Sequence, residues 1–316
     1  MNDMSSKAGP LRAGGLVALF ALANRNAENV ILPLNDAAHT DELTLPAFYC
    51  IHSVSGVAGP EYTRLAALMP KTRFFGLQAP PKKMADKDFG NSLSGIGDYY
   101  ARALYKFQPD GDFYLGGWSI GAAVALETAV NLRSQGRTVR LVAAIEGAPE
   151  NTGADLPAWH PRCVVQSVAN LPRWVLHDPV EGRTSASAAF MRLFVRPILS
   201  RRRGYGSPNS AAGLDLAVRK EIWDFGRYPV KHQLFMQRLY DAAFEYWAKP
   251  YPDPVVLYEA KVQPILNRRQ FAGAWRTIAP HTSVVSVSGT HVSIMRTKHL
   301  NTIATDLERR IQSPLA

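Results

Sequence analysis

Phe113-Tyr-Leu-Gly-Gly-Trp-Ser-Ile-Gly-Ala-Ala-Val-Ala-Leu-Glu127 is the stretch from which the rest of this chain can be read. An apolar, β-prone run, Phe113–Leu115, meets two glycines. Gly117-Trp118-Ser119-Ile120-Gly121 follows, and a segment rich in helix formers then continues to about Gln135. Strand, tight turn and helix are the context that a G-x-S-x-G nucleophile elbow needs. The turn forces its serine into a strained backbone conformation, so the neighbours must be small where strand and helix approach closely. The strain lifts the hydroxyl clear of the sheet, and the helix N-terminus behind it favours developing negative charge. Ser119 is therefore the candidate nucleophile.

Outward from this stretch the chain alternates. Asn29–Asn35 and Leu45–Ile51 read as strands, Tyr62–Met69 as a helix and Thr72–Leu77 as a strand. Gln78–Asn91 reads as a Pro- and Lys-rich loop, and Leu93–Lys106 as a helix with Ser92 as its N-cap. Gly136 ends the helix after the elbow, and Val139–Ile145 is a buried strand running into Glu146-Gly147-Ala148-Pro149. The rhythm then stops. About 150–250 holds helix-like stretches near Pro161–Leu171, Ala186–Leu199, Leu214–Trp223 and Lys231–Trp247, the pattern of a helical lid insertion. Strand Pro254–Ala260, helix Phe271–Ile278, strand Thr282–Ser288, turn Gly289–Met295 and helix His299–Ile311 complete the series. Strands alternating with helices argue an α/β fold with a doubly wound, mostly parallel sheet. Residues 1–28 read as an N-terminal extension, whose apolar run Gly15–Ala23 is too short to span a bilayer and is expected to be a packing helix or linker rather than a secretory signal. Residues 29–316 read as one domain carrying the insertion.

With 316 residues the chain can bury a large core. Its two cysteines, Cys50 and Cys163, offer neither a disulfide framework nor a zinc spacing, which points to a reducing, cytoplasmic setting without a metal. The net charge of +10 is concentrated between Arg162 and Arg238, including Arg201-Arg202-Arg203. It suggests an acidic partner or a phosphate-bearing substrate, or else a solvated basic face. No nucleic-acid motif and no transmembrane candidate is evident.

A serine hydroxyl needs a base, and the elbow's partners follow in the order serine, acid, histidine. Of the eight histidines, His39, His52, His160, His177 and His232 lie before the last two strands or in the insertion. His281 precedes the last strand and His299 starts the final helix. His291 lies in the loop directly after the last strand, at the carboxyl edge where Ser119 also sits, and is the candidate base. Two glutamates compete for the acid. Glu146 ends the strand after the nucleophile helix, and Glu259 ends the strand before the histidine strand. Glu146 is preferred for its sharp exit, and Glu259 is the alternative. The oxyanion hole needs two backbone N–H groups, one from Ile120 and one from the loop His52–Gly56, with Val54 the candidate. His52 itself reads as a structural histidine bonded to backbone.

Taken together, Phe48-Tyr-Cys-Ile-His-Ser-Val-Ser-Gly56, Phe75-Gly-Leu-Gln-Ala79, Phe107–Gly121, Tyr258-Glu-Ala-Lys-Val-Gln-Pro264 and Gly289-Thr-His-Val-Ser-Ile-Met295 resemble the thioesterase domains of nonribosomal peptide and polyketide synthetases. The resemblance runs from about Asn29 to Leu307. It implies an α/β-hydrolase fold with a helical lid. It also implies that Ser119 takes an acyl or peptidyl chain from the phosphopantetheine arm of a carrier protein, with no cofactor of its own, and that water or an internal nucleophile then releases it. Under this reading Arg192, Arg196 and Arg201–Arg203 would dock the acidic carrier.

Three positions depart from the family's pattern. Glu146 stands where Asp is usual, Ser53 follows His52 where Pro is common, and Thr290 precedes His291 where Asp or Gly is common. The pattern is that of a free-standing enzyme or a piece of a larger synthetase. A carboxylesterase or lipase acting on free esters, or a non-catalytic acyl-binding protein, are the competing readings. The step from fold to thioesterase rests on the resemblance.

Overall fold

In the computed structural model, residues 30–39, 45–150, 228–262 and 271–313 are described. Seven strands, β1 (Ile31–Pro33), β2 (Ala47–Ile51), β3 (Arg73–Leu77), β4 (Phe113–Trp118), β5 (Val139–Ile145), β6 (Val255–Ala260) and β7 (Thr282–Val287), lie in the order β1-β3-β2-β4-β5-β6-β7. β1 is antiparallel to β3, and the remaining pairs are parallel. The near-continuous apolar runs in the middle strands follow from burial on both faces. Every residue of β2 and β4 is buried.

Alternation along the strands divides the core. Tyr49, Ile51, Leu115, Val142 and Leu257 enter one half, and Phe48, Cys50, Tyr114, Ala143 and Tyr258 the other. Helices α3 (Leu93–Phe107), α4 (Ile120–Ser134), α5 (Val230–Glu245) and α6 (Phe271–Ile278) cover the first half; α1 (Gly59–Ala67) and α7 (Thr297–Gln312) cover the second. The sheet is thus doubly wound, as the alternation of elements predicts. α4 is buried almost all round, from Gly121 to Ala129 and at Leu132, as befits a central helix between sheet and neighbouring helices. Its one buried acid, Glu127, accepts a 2.7 Å hydrogen bond from the Tyr246 hydroxyl at the end of α5.

Boundaries moved where proline directs them. α1 begins at Gly59, ahead of the expected Tyr62, because Pro60 fits the first helical turn, where a missing N–H costs nothing. The expected loop Gln78–Asn91 contains a short helix, α2 (Pro81–Met84), for the same reason. Ser92 caps α3 as expected, its hydroxyl accepting the Gly95 N–H at 3.3 Å. The expected helix Lys231–Trp247 is α5. The apolar run Gly15–Ala23, the three earlier helices of the expected lid, and Arg192, Arg196 and Arg201–Arg203 lie outside the described residues. Among the described residues no helix is long and apolar enough to cross a membrane.

This topology brings the carboxyl ends of β2, β4, β5, β6 and β7 to one edge. In open parallel sheets that edge is where ligands bind.

Candidate active site

Ser119 follows the last residue of β4 and caps α4 at φ 59° and ψ −127°, a region that residues with a side chain rarely occupy. Its N–H donates to Ile145 O at 2.9 Å, and its carbonyl accepts from Ala122 N–H at 3.0 Å. The glycine two residues on is required by close approach. A Cβ on Gly121 would lie 2.6 Å from Ile51 O and 2.7 Å from His52 O. The end of β2 and its loop therefore press directly against the start of α4. Tyr62 braces the same junction, its hydroxyl donating to Ile51 O at 2.6 Å and accepting Trp118 N–H at 2.9 Å.

Glu146 occupies the equivalent position after β5. It is the other non-glycine residue at positive φ, 45°, among the described residues. It is buried, its N–H donates to Tyr258 O at 2.8 Å, and its Oε2 accepts the Ala260 N–H. The backbone of Gly147 touches the Ser119 carbonyl so closely that a Cβ there would collide with it. Glu146 is thus held between the elbow and the end of β6. Glu259 is placed differently. Because Tyr258 enters the core half under α1 and α7, its neighbour points to the other side, where the Glu259 carboxylate accepts the Ala272 N–H at the start of α6. Burial raises its pKa, against the Ala272 hydrogen bond and the nearby Arg276.

His291 lies in the turn after β7, which Gly289 enters at φ 105°. The turn is locked by Thr290 and Ser293, each of whose backbone N–H groups donates to the other's hydroxyl oxygen, at 2.8 and 3.2 Å. Thr290 thereby supplies with its hydroxyl a brace for the histidine turn. The Trp118 indole N–H donates to His291 O at 3.1 Å, and the two rings lie 5.5 Å apart at 32°. The histidine loop is thus fastened to the residue that immediately precedes Ser119. The Lys261 N–H donates to Val287 O and the Val262 N–H to Gly289 O, at 2.8 and 3.0 Å, tying the end of β6 to the same turn.

Among the described residues, the backbone N–H groups of Val54 and Ile120 donate to none of their neighbours. Val54 is buried in the loop after β2 and Ile120 is at the first position of α4. The contact of that loop with Gly121 brings these two segments together. His52 is fully buried with both ring nitrogens engaged, Nδ1 2.5 Å from Ser53 O and Nε2 2.6 Å from the Tyr100 hydroxyl. Burial pulls its pKa down to about 4, with His232 lowering it further and the Ser53 carbonyl opposing. It is neutral at pH 7 and structural, as the sequence suggests.

Two residues of this edge escape a reading from sequence. Tyr62 and Glu61 sit in the first turns of α1 and reach the loop and strand ends through tertiary contacts that no spacing encodes.

The sequence pattern of the Thioesterase domain family matches residues 46–166, a span that includes the loop after β2, the elbow and Glu146. Over that span the chain is similar to thioesterase domains. Its relatives are synthetases of nonribosomal peptides and polyketides. Malpibaldin synthetase of Mortierella alpina is 30% identical over 129 residues, 40% of this chain and 2% of that protein. Polyketide synthase PksR of Bacillus subtilis (strain 168) is 25% identical over 232 residues, 71% of this chain and 8% of that protein. The chain therefore corresponds to a small part of each of these much longer relatives. Among solved structures, a covalent complex of the NocB thioesterase domain with a fluorophosphonate nocardicin G analog aligns with a TM-score of 0.54 at 21% identity, covering 90% of this chain and 98% of that one. The fold is that of thioesterase α/β-hydrolase domains, and the family is one of hydrolases acting on thioester bonds.

Proposed function

We propose that this thioesterase domain releases an acyl or peptidyl chain from the phosphopantetheine thioester of a carrier protein, by way of an ester on Ser119. The observation that carries the proposal is the strained Ser119 at the head of α4, with the His291 loop fastened to its neighbour Trp118. In the first step the Ser119 oxygen attacks the thioester carbonyl while its proton passes to the His291 ring. The tetrahedral oxyanion takes hydrogen bonds from the Val54 and Ile120 N–H groups, each such donor being worth about 3 kcal/mol in the transition state. The C–S bond breaks, the pantetheine sulfur takes the proton from the imidazolium, and the acyl group remains on Ser119. Water, or a nucleophile within the acyl chain, then gives its proton to His291 and attacks the ester carbonyl; the bond from the carbonyl carbon to the Ser119 oxygen breaks, and the imidazolium returns the proton to that oxygen. Glu146 orients the imidazole and stabilises its cation.

The choice between hydrolysis and cyclisation depends on how far the expected lid, about 150–250, excludes water at the second step. The basic residues of that insertion are proposed to meet an acidic carrier domain, and the reducing cytoplasm is the proposed setting. In support of the carrier, the relatives are synthetases of nonribosomal peptides and polyketides, and one similar solved structure is a four-domain nonribosomal peptide synthetase. Intact-mass spectrometry after a fluorophosphonate probe tests the nucleophile. Wild type gains one probe mass and Ser119→Ala gains none; labelling that survives in Ser119→Ala defeats the assignment.

A further inference from the structure

The loop that carries Val54 has an anchor of its own. Ser53 donates its backbone N–H to Glu61 Oε2 at 2.8 Å and its hydroxyl to Glu61 Oε1 at 2.5 Å. Ser55 donates its hydroxyl to the same Oε1 at 2.5 Å. One carboxylate therefore grips the residues on both sides of Val54. Ser53, Val54 and Ser55 are all buried. The Ser53 N–H is a donor that the proline common at this position would lack, so where the resemblance expects a rigid ring this chain has a hydrogen-bonded clamp. On the far side His232 of α5 contacts Ser55 O through Nε2.

We infer that Glu61 is a positioning residue, which aims the Val54 N–H at the substrate oxyanion by fixing Ser53 and Ser55. The inference rests on the proposed role of Val54 as an oxyanion donor. Chemistry favours it over a general packing role. A carboxylate with acceptor-only oxygens matches three converging donors, and an apolar side chain would leave those donors buried and unsatisfied. Burial pushes the Glu61 carboxyl up to about 7, against hydrogen bonds from Ser53 and Ser55 that pull it down. Holding an acid in such surroundings costs stability, which a loop under catalytic constraint accounts for. Glu61 also lies in the first turn of α1, where the helix favours a negative charge.

The test uses wild type, Glu61→Ala, Glu61→Gln and Val54→Pro with an acyl-pantetheine thioester. Read-outs are kcat, KM, the rate of fluorophosphonate labelling and the fraction folded at the assay temperature. Misaiming the donor lowers kcat in Glu61→Ala by roughly 10- to 100-fold with KM nearly unchanged, the scale of a 1 Å misplacement. The labelling rate falls in parallel. Glu61→Gln restores most of kcat, because its amide oxygen can take the Ser53 N–H while its NH₂ donates to the two hydroxyl oxygens. Val54→Pro, which has no N–H to give, loses roughly 10²- to 10³-fold. If Val54→Pro slows the enzyme but Glu61→Ala keeps kcat per folded molecule, the positioning role is wrong and the oxyanion reading survives. If folded Val54→Pro keeps full activity, the oxyanion reading fails and takes this inference with it. Should Val54→Pro not fold, the Glu61→Ala and Glu61→Gln pair decides: loss and rescue of kcat support the inference, and a lowered melting temperature alone overturns it.

Discussion

Ser119 and Glu146 both stand at positive φ at the ends of neighbouring strands. Each such residue costs about 1–3 kcal/mol, and the surrounding contacts must overdetermine it. At Ser119 the sequence announces the strain, because Gly117 and Gly121 have no other reason to flank a serine so closely. At Glu146 it does not. Glu146 and Glu259 end adjacent parallel strands, and a one-dimensional reading cannot tell which side of the sheet each faces. The deciding fact is tertiary: Glu259 accepts the Ala272 N–H in the first turn of α6, whereas Glu146 is buried against Ala260 beside the elbow. Glu146→Ala is therefore expected to lower kcat by roughly 10⁴-fold, the scale seen when a triad acid is lost. Glu259→Ala is expected to keep kcat and to lose about 1 kcal/mol of stability, as for a removed helix cap. Steady-state kinetics and urea denaturation of the two variants check this, and the opposite ranking would move the acid to β6.

Elements meet at the site through backbone contact more than through side chains. Gly121 lets α4 lie against the carbonyls of Ile51 and His52, so the start of the loop that carries Val54 abuts the turn that carries Ile120. Gly121→Ala is expected to cost about 1–3 kcal/mol by overpacking, with a loss of kcat as the two donors separate. A full-activity Gly121→Ala would contradict that arrangement. α5 is tied to α4 by the bond from Tyr246 to buried Glu127. Tyr246→Phe leaves that acid short of a donor and is expected to cost about 1–3 kcal/mol in urea denaturation. The long, periodic elements α3, α4, α6 and the strands β2, β5 and β6 were legible because one apolar pattern serves propensity and burial at once. α2 was not legible, since Pro81 and its lysines read as loop until the proline is placed at a helix start.

Across the whole molecule, His52 and Glu61 give opposite responses of stability to pH. The folded pKa of His52, about 4, lies below its ordinary 6.5, so its contribution is intact above pH 6.5 and is lost as pH falls toward 4. The folded pKa of Glu61, about 7, lies above its ordinary 4.5, so its contribution is intact below pH 4.5 and is lost as pH rises through 7. Each shift corresponds to something on the order of 3 kcal/mol, and the two oppose one another between pH 4.5 and 6.5. Cys50 and Tyr62, the titratable neighbours whose shifts Glu61 contributes to, are both held neutral by burial. Glu61→Gln removes one of the opposing groups, so its stability relative to wild type is expected to rise from pH 5 to pH 8. A difference that stays constant over that range in urea denaturation would refute this assignment. Such couplings are invisible in sequence, because they join residues of the β2 loop, α1, α3 and α5 that only the fold brings together.

In the proposed reaction Ser119 carries the acyl chain between attack and release. The direct measurement is rapid acid quenching of the enzyme during turnover of an acyl-pantetheine thioester, followed by intact-mass and peptide-level mass spectrometry. An added acyl mass is expected on the peptide containing Ser119, absent from Ser119→Ala and accumulating in Glu146→Ala if release is slower than acylation. Turnover by wild type with the acyl group found on another residue, or sustained turnover by Ser119→Ala, would contradict it.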